Sequence, residues 1–313
     1  MDDKEADGVT DMERFTIAAS GADWAELTHE CLINILSRLP LEDRWRCVMF
    51  VCKSWHHACK DPCLNSVLDL ESHFQSASDM PRFWTPEFER RIDSMVASVV
   101  AWSAGSLTEI RVRHCSDRSL SLVAQSAPNL QALSIRHCPH VTDATMAAIA
   151  SGCPKIKELD LSSCYEISHK SLATLGTNCP NISTLKRNFL SPSQHVGIVP
   201  SEYLNACPQD GDSEAAAISK FMPGLLHLEL QFSKLTAKGL IMISEGCPKL
   251  EYLDLSGCAN VTSRDIANAA LNLNNLLTFK KPNFYIPRSV YHTERYGHWQ
   301  LYDQRFQTDV FRI

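Results

Sequence analysis

The sequence predicts an α/β solenoid, a curved parallel sheet with helices along its outer face, preceded by a three-helix module. Three observations predict it. A frame of Leu-x-x-Leu-x-Leu-x-x-Cys recurs from about residue 107 to 281. A helical stretch follows each frame and stops near a Cys-Pro pair. Helical apolar periodicity, with none of the frame, fills residues 23–63.

Residues 1–22 are polar and acidic and are expected to form a flexible tail. In the next module Leu32, Ile35, Leu36 and Leu39 lie at helical spacing. After Pro40, Leu41, Trp45, Val48 and Cys52 extend a second helical stripe, and a third short helix carries Trp55 and ends before Pro62. Forty residues in three helices bury little surface, so this module is expected to lean on the repeats or on a partner.

The repeats occupy 64–281. Their first positions, Leu107, Leu130, Ile156, Ile182, Leu225, Leu250 and Leu276, are spaced by 23, 26, 26, 43, 25 and 26 residues. An earlier strand at Val67–Leu70 and a helix near 87–102 complete about eight units, with insertions near 72–86 and 189–212. Within each strand apolar and polar residues alternate, as in Glu158-Leu159-Asp160-Leu161, so the leucines point inward and the polar residues outward. Thr142-Asp143 and Thr262-Ser263 offer helix-capping side chains. Pro128, Pro154, Pro180 and Pro248 turn each helix into the next strand. The 282–313 segment departs from the frame, is rich in aromatics, and is expected to cap the solenoid's last apolar face.

The net charge of −6 and the absence of a sustained cationic run argue against a nucleic-acid surface. No run of about 18 apolar residues and no secretory leader is visible, so the expectation is a soluble protein of the nucleus or cytoplasm, without membrane contact. The 13 cysteines are an odd number, and many hold repeat positions, which suits reduced, mostly buried thiols.

Asp23-Trp24-Ala25-Glu26-Leu27-Thr28, Leu39-Pro40, Val51-Cys52-Lys53-Ser54-Trp55 and Asp61-Pro62 resemble an F-box. The repeats resemble the cysteine-containing subclass of leucine-rich repeats, and together they look like a plant-type F-box/leucine-rich-repeat protein. Thr28 stands where that family usually has proline, and a threonine can start a helix by capping it. The resemblance implies a substrate receptor of an SCF-type ubiquitin ligase. It implies docking of a Skp-type adaptor, and through it cullin and RING subunits, by Trp24, Leu27, Thr28, Leu32, Ile35, Leu39, Val51 and Trp55. A target protein would then be bound for ubiquitination and proteasomal degradation. The alternative is a leucine-rich-repeat scaffold or sequestering protein outside any ligase.

Aligning the outward strand positions puts Arg111, Ser134, Asp160, Lys186, Glu229 and Asp254 in one row, flanked by Arg113, Arg136, Ser162, Asn188, Gln231 and Ser256. Early cations and late acids predict a charge gradient along the concave face, which makes Arg111, Arg113, Arg136, Asp160, Lys186, Glu229 and Asp254 the candidate target-binding residues. His114-Cys115 and His137-Cys138 are metal-ligand types, but the cysteine recurs as Cys164 and Cys258 without histidine, as the frame requires. No nucleophile elbow, phosphate loop or paired-acid motif occurs. The expectation is therefore a non-catalytic protein with no metal and no cofactor.

Overall fold

The structure is a computed structural model and describes residues 24, 26–74, 81–190, 199–200 and 210–282. The expected acidic tail and most of the 189–212 loop lie outside the described residues. So does the aromatic segment beyond residue 282.

Thr28 starts α1 (His29–Leu36), its Oγ1 accepting the Cys31 N–H at 3.4 Å, so it caps the helix as expected. The second helix is shorter than its apolar stripe suggested. α2 (Leu41–Arg46) ends where Cys47 turns to φ −120°, and Val48–Phe50 forms a 3₁₀ turn. Four consecutive apolar residues, Val48 to Val51, cannot all face one core from an α-helix, and the turn buries Val48 while exposing Phe50 and Val51. α3 (Lys53–Cys59) closes a small core of Leu32, Leu36, Val48, Ala58, Cys59 and Leu64.

This module does lean on the repeats. Leu41 and Trp45 pack against the solenoid core, and Trp45 meets Trp102 edge-on at 5.7 Å. The Lys60 ammonium lies 5.7 Å from the Trp102 ring, and Ser106 Oγ donates to the Pro62 carbonyl at 3.2 Å.

Eight parallel strands follow in sequential order. They are β1 (Val67–Asp69), β2 (Glu109–Arg113), β3 (Ala132–Arg136), β4 (Glu158–Asp160), β5 (Thr184–Lys186), β6 (His227–Glu229), β7 (Tyr252–Asp254) and β8 (Thr278–Lys280). A short helix α4 (Glu71–Phe74) and a 3₁₀ turn (Pro81–Trp84) precede α5 (Pro86–Ser103). The outer layer continues with α6 (Asp117–Ser126), α7 (Asp143–Gly152), α8 (His169–Asn178), α9 (Asp212–Phe221), α10 (Ala237–Gly246) and α11 (Ser263–Ala270). The register aligns Leu68, Ile110, Leu133, Leu159, Leu185, Leu228 and Leu253, all buried in one continuous core.

Polar side chains tie neighbouring units together. The Asp117 carboxylate accepts the N–H (2.9 Å) and hydroxyl (2.7 Å) of Thr142, the cap of α7. Asp143 does the same for Ser168 (2.8 and 2.6 Å), and Asp212 for Thr236 (2.8 and 2.7 Å). Asp93 of α5 begins the series by binding Ser116 and Ser119. The series breaks across the insertion, where His169 and Gly211 stand in place of an acid and a hydroxyl. There a buried Arg187 spans the gap, donating to Glu214 of α9 (3.0 Å) and to the carbonyls of Leu161 (3.0 Å), Cys164 (2.8 Å) and Ile167 (2.6 Å).

The frame cysteines are free thiols buried between units. Cys258 Sγ donates to the Leu230 carbonyl at 3.0 Å and Cys164 Sγ to that of Ile135 at 3.4 Å. Burial pushes Cys258 up to about 12 and Cys179 up to about 11, so these thiols stay protonated and inert.

Candidate functional site

Two surfaces stand out, one at each end of the connection between α3 and β1. On the N-terminal module, Trp24 and Val51 are each 59% exposed, Phe50 is 79% exposed and Ile35 36%. Leu27 and Leu39 lie half-buried against the module core. Large apolar side chains exposed in this number on so small a module mark it as a candidate contact surface.

The other predicted residues of this surface have supporting places. Leu32 is fully buried in the module core, so it shapes α1 and presents no contact of its own. Thr28 caps α1. Trp55 is half-buried, and its Nε1 donates to the Trp24 carbonyl at 2.8 Å, which fixes the segment that displays Trp24. Phe50, the most exposed of the set, was missed because it precedes the recognisable Val-Cys-Lys-Ser-Trp run and sits on the unforeseen 3₁₀ turn.

The second surface is the concave face of the sheet. Its register places Arg111, Ser134, Asp160, Lys186, Glu229 and Asp254 side by side as the alignment required. The expected charge gradient is not there. Arg111 pairs with Glu109 and with Glu158 (3.2 Å), and Arg113 with Glu71 (2.7 Å). Arg136 lies between Glu71 (3.5 Å) and Asp160 (3.9 Å). Lys186 meets Glu229 at 3.0 Å and Lys280 meets Asp254 at 3.5 Å. Acids at Glu71, Glu109 and Glu158 neutralise the early arginines, and lysines neutralise the late acids. Glu109 and Glu158 lie in the adjacent outward row, which the two aligned rows omitted, and Glu71 opens α4.

Burial further divides the candidates. The side chains of Arg113 and Asp254 are 8% and 1% exposed, so neither is free to meet a partner. Arg113 instead stacks 5.1 Å from the Phe74 ring, and Asp254 accepts Gln231 Nε2 at 2.8 Å. Burial raises the Asp160 carboxyl above its ordinary range in spite of Ser162 and Arg136. Glu229 is lowered, because hydrogen bonds from His227, Asn188 and Lys186 outweigh its burial. Arg111, Arg136 and Lys186 keep about a third of their side chains exposed and are the reachable charges among the candidates.

His114 and His137 lie just after β2 and β3. Their rings stack 6.0 Å apart at the rim above β2 and β3, with Trp84 edge-on to His114 at 4.8 Å. Burial, with Arg113 adjacent, lowers His114 to about 3 and keeps it neutral. Among the described residues no group of three or more His, Cys, Asp or Glu side chains is arranged to hold a metal ion. No described helix is long and apolar enough to cross a membrane.

Comparison with known proteins agrees with this layout. The F-box domain family model matches residues 24–66, and a leucine-rich-repeat model matches residues 246–265. "F-box protein SKIP1" of Arabidopsis thaliana is 56% identical over 296 residues, covering 94% of this chain and 99% of that protein. "Putative F-box/LRR-repeat protein 19" of the same plant is 53% identical over 278 residues, covering 88% and 92%. Against the Rad7 and Elc1 complex in yeast the alignment covers 72% of this chain and 82% of that one at 14% identity, with a TM-score of 0.24.

Proposed function

The chain belongs to the F-box/leucine-rich-repeat family, and from that premise we propose that it is the target-recognition subunit of an SCF-type ubiquitin ligase. The observation that carries this reading is the exposed apolar set Trp24, Ile35, Phe50 and Val51, held on a module braced against the repeats. This set takes the Skp-type adaptor, and through it the cullin and RING subunits. The concave face takes a target protein, with Arg111, Arg136 and Lys186 as its reachable cations.

The chain itself performs no covalent step. Its contribution is proximity, since a target held by the repeats presents its lysines to a ubiquitin-charged enzyme at high effective concentration. The Trp45–Trp102 contact and the Lys60 cation above it restrict motion between the two grips. We place the protein in the nucleus or cytoplasm, where its free thiols persist.

Target turnover tests the reading. Proteins captured by the full chain in cells should accumulate several-fold on proteasome inhibition, and should lose that response when Ile35→Asp and Val51→Asp remove adaptor docking. Captured proteins whose levels ignore proteasome inhibition would instead mark a sequestering scaffold.

A further inference from the structure

The late half of the concave face is layered in a way that its row of alternating charges does not reveal. Across β5 to β8 the register sets Thr184, His227, Tyr252 and Thr278 in one outward row, and Lys186, Glu229, Asp254 and Lys280 in the next. Glu229 and Asp254 are the only acids of these four strands, and both lie beneath their lysines. The Lys186 side chain is 38% exposed over a Glu229 that is 13% exposed, and Lys280 is 54% exposed over an Asp254 that is 1% exposed. What a partner meets on this half is therefore cationic. In the early units the acid stays at the surface, since Glu158 is more exposed than the Arg111 with which it pairs.

Both carboxylates are already supplied with donors. Glu229 meets His227 Nε2 (2.8 Å), Asn188 Nδ2 (2.8 Å) and Lys186 Nζ (3.0 Å). Asp254 accepts from Gln231 Nε2 (2.8 Å) and the Ser256 N–H (2.9 Å), with Lys280 Nζ 3.5 Å away. An ammonium carries three N–H donors, so each lysine keeps donors for a further acceptor in the groove. Beside the lysines the His227 and Tyr252 rings stack face to face, 4.0 Å apart and 4° from parallel, and Lys280 Nζ lies 5.5 Å from the Tyr252 ring. Both rings are half-buried and hold each other upright, which makes them a rigid anchor for an apolar side chain.

We infer that β5 to β8 seat an acidic segment of the target protein, its carboxylates on Lys186 and Lys280 and a neighbouring apolar side chain against His227 and Tyr252. This assignment rests on the concave face being the target's seat. The lysines stand three strand spacings apart, about 14 Å, and each leans inward over the acid of the next strand. That lean brings the ammonium groups toward the roughly 7 Å that separates alternate side chains of an extended peptide. Two acids at i and i+2 of such a segment reach both cations, and complementarity of this kind sets register as well as attraction.

Selection from a random peptide library displayed on phage, with the full chain as bait, tests it. Wild type should enrich peptides rich in Asp and Glu with an aromatic or branched apolar residue among them, and synthetic copies should bind more weakly as salt rises. Lys186→Gln/Lys280→Gln should lose the acidic bias and bind those copies about tenfold more weakly. That variant also uncovers the two acids, so Tyr252→Thr provides a second arm. Threonine already stands in this row on β5 and β8, so the strand tolerates it, and affinity should fall about tenfold with the acidic bias retained. Enrichment without acidic bias, no enrichment, or equal affinity in wild type and both variants overturns the inference. Ile35→Asp/Val51→Asp should select the same acidic peptides, so a failure of adaptor docking leaves this result standing.

Discussion

Arg187 is the largest fully buried side chain among the described residues. It occupies a position where neighbouring units place a leucine, such as Leu161 and Leu255, and it is fully buried. Its guanidinium meets Glu214 and three carbonyl oxygens of the preceding unit, so the charge is both paired and hydrogen-bonded. Removing it leaves a buried carboxylate and three carbonyls without their donor. Arg187→Ala should therefore cost about 3–5 kcal/mol, read as a drop in the urea midpoint of the full chain. Glu214→Gln, which keeps the shape and loses the charge, should cost less. The frame leucines were legible residue by residue because burial demands them at fixed spacing. Arg187 was not, since an arginine in a leucine slot reads as a break until its partner, displaced by the insertion, is seen beside it.

At the scale of elements, the repeat is held by carboxylates reaching from one helix start to the next. Asp143 accepts two bonds from Ser168 and one from Ser171. Burial works to raise its pKa, but those bonds and Lys170 outweigh it and leave the group below the ordinary carboxylate range. The sign follows from linkage. A lowered folded pKa means stability that is present above the unfolded value of about 3.9 and is lost as pH falls through the folded value. Asp143→Asn should destabilise by about 1–2 kcal/mol near neutral pH, the usual cost of a lost cap, and should flatten the acid limb of the pH–stability curve. An unchanged acid limb would show that the group contributes nothing through its charge. The capping residues themselves were visible in the sequence, but their inter-unit partners were not, because an aspartate at a helix start reads equally well as a local dipole partner. The loops after β2, β3, β4, β6 and β7 hid another regularity. His114, His137, Ser163, Phe232 and Gly257 all take positive φ, and only Gly257 announces it. At Gly257 a Cβ would come within 2.4 Å of the Phe232 ring, so this glycine is required twice over.

At the scale of the whole molecule, the architecture is a small helical module fixed by Trp45 and Trp102 to one end of an eight-stranded arc. The sequence displayed this organisation plainly, since period and punctuation repeat along the chain. It misjudged the concave face, where chemistry depends on which rows touch: charges that looked like a gradient along one row are cancelled by Glu109 and Glu158 on the next and by Glu71 at the start of α4. Of the candidate docking residues, Ile35 and Val51 lie in the open and Leu32 is turned inward, because the apolar spacing of α1 does not say which side of the helix meets the module core. The central claim is that this surface grips a Skp-type adaptor. The direct measurement is size-exclusion chromatography of the full chain with such an adaptor, comparing wild type with Ile35→Asp/Val51→Asp, each verified as folded by circular dichroism. The account predicts stoichiometric co-elution for wild type and separate peaks for the variant. Folded wild type eluting apart from the adaptor would contradict it and leave a leucine-rich-repeat scaffold.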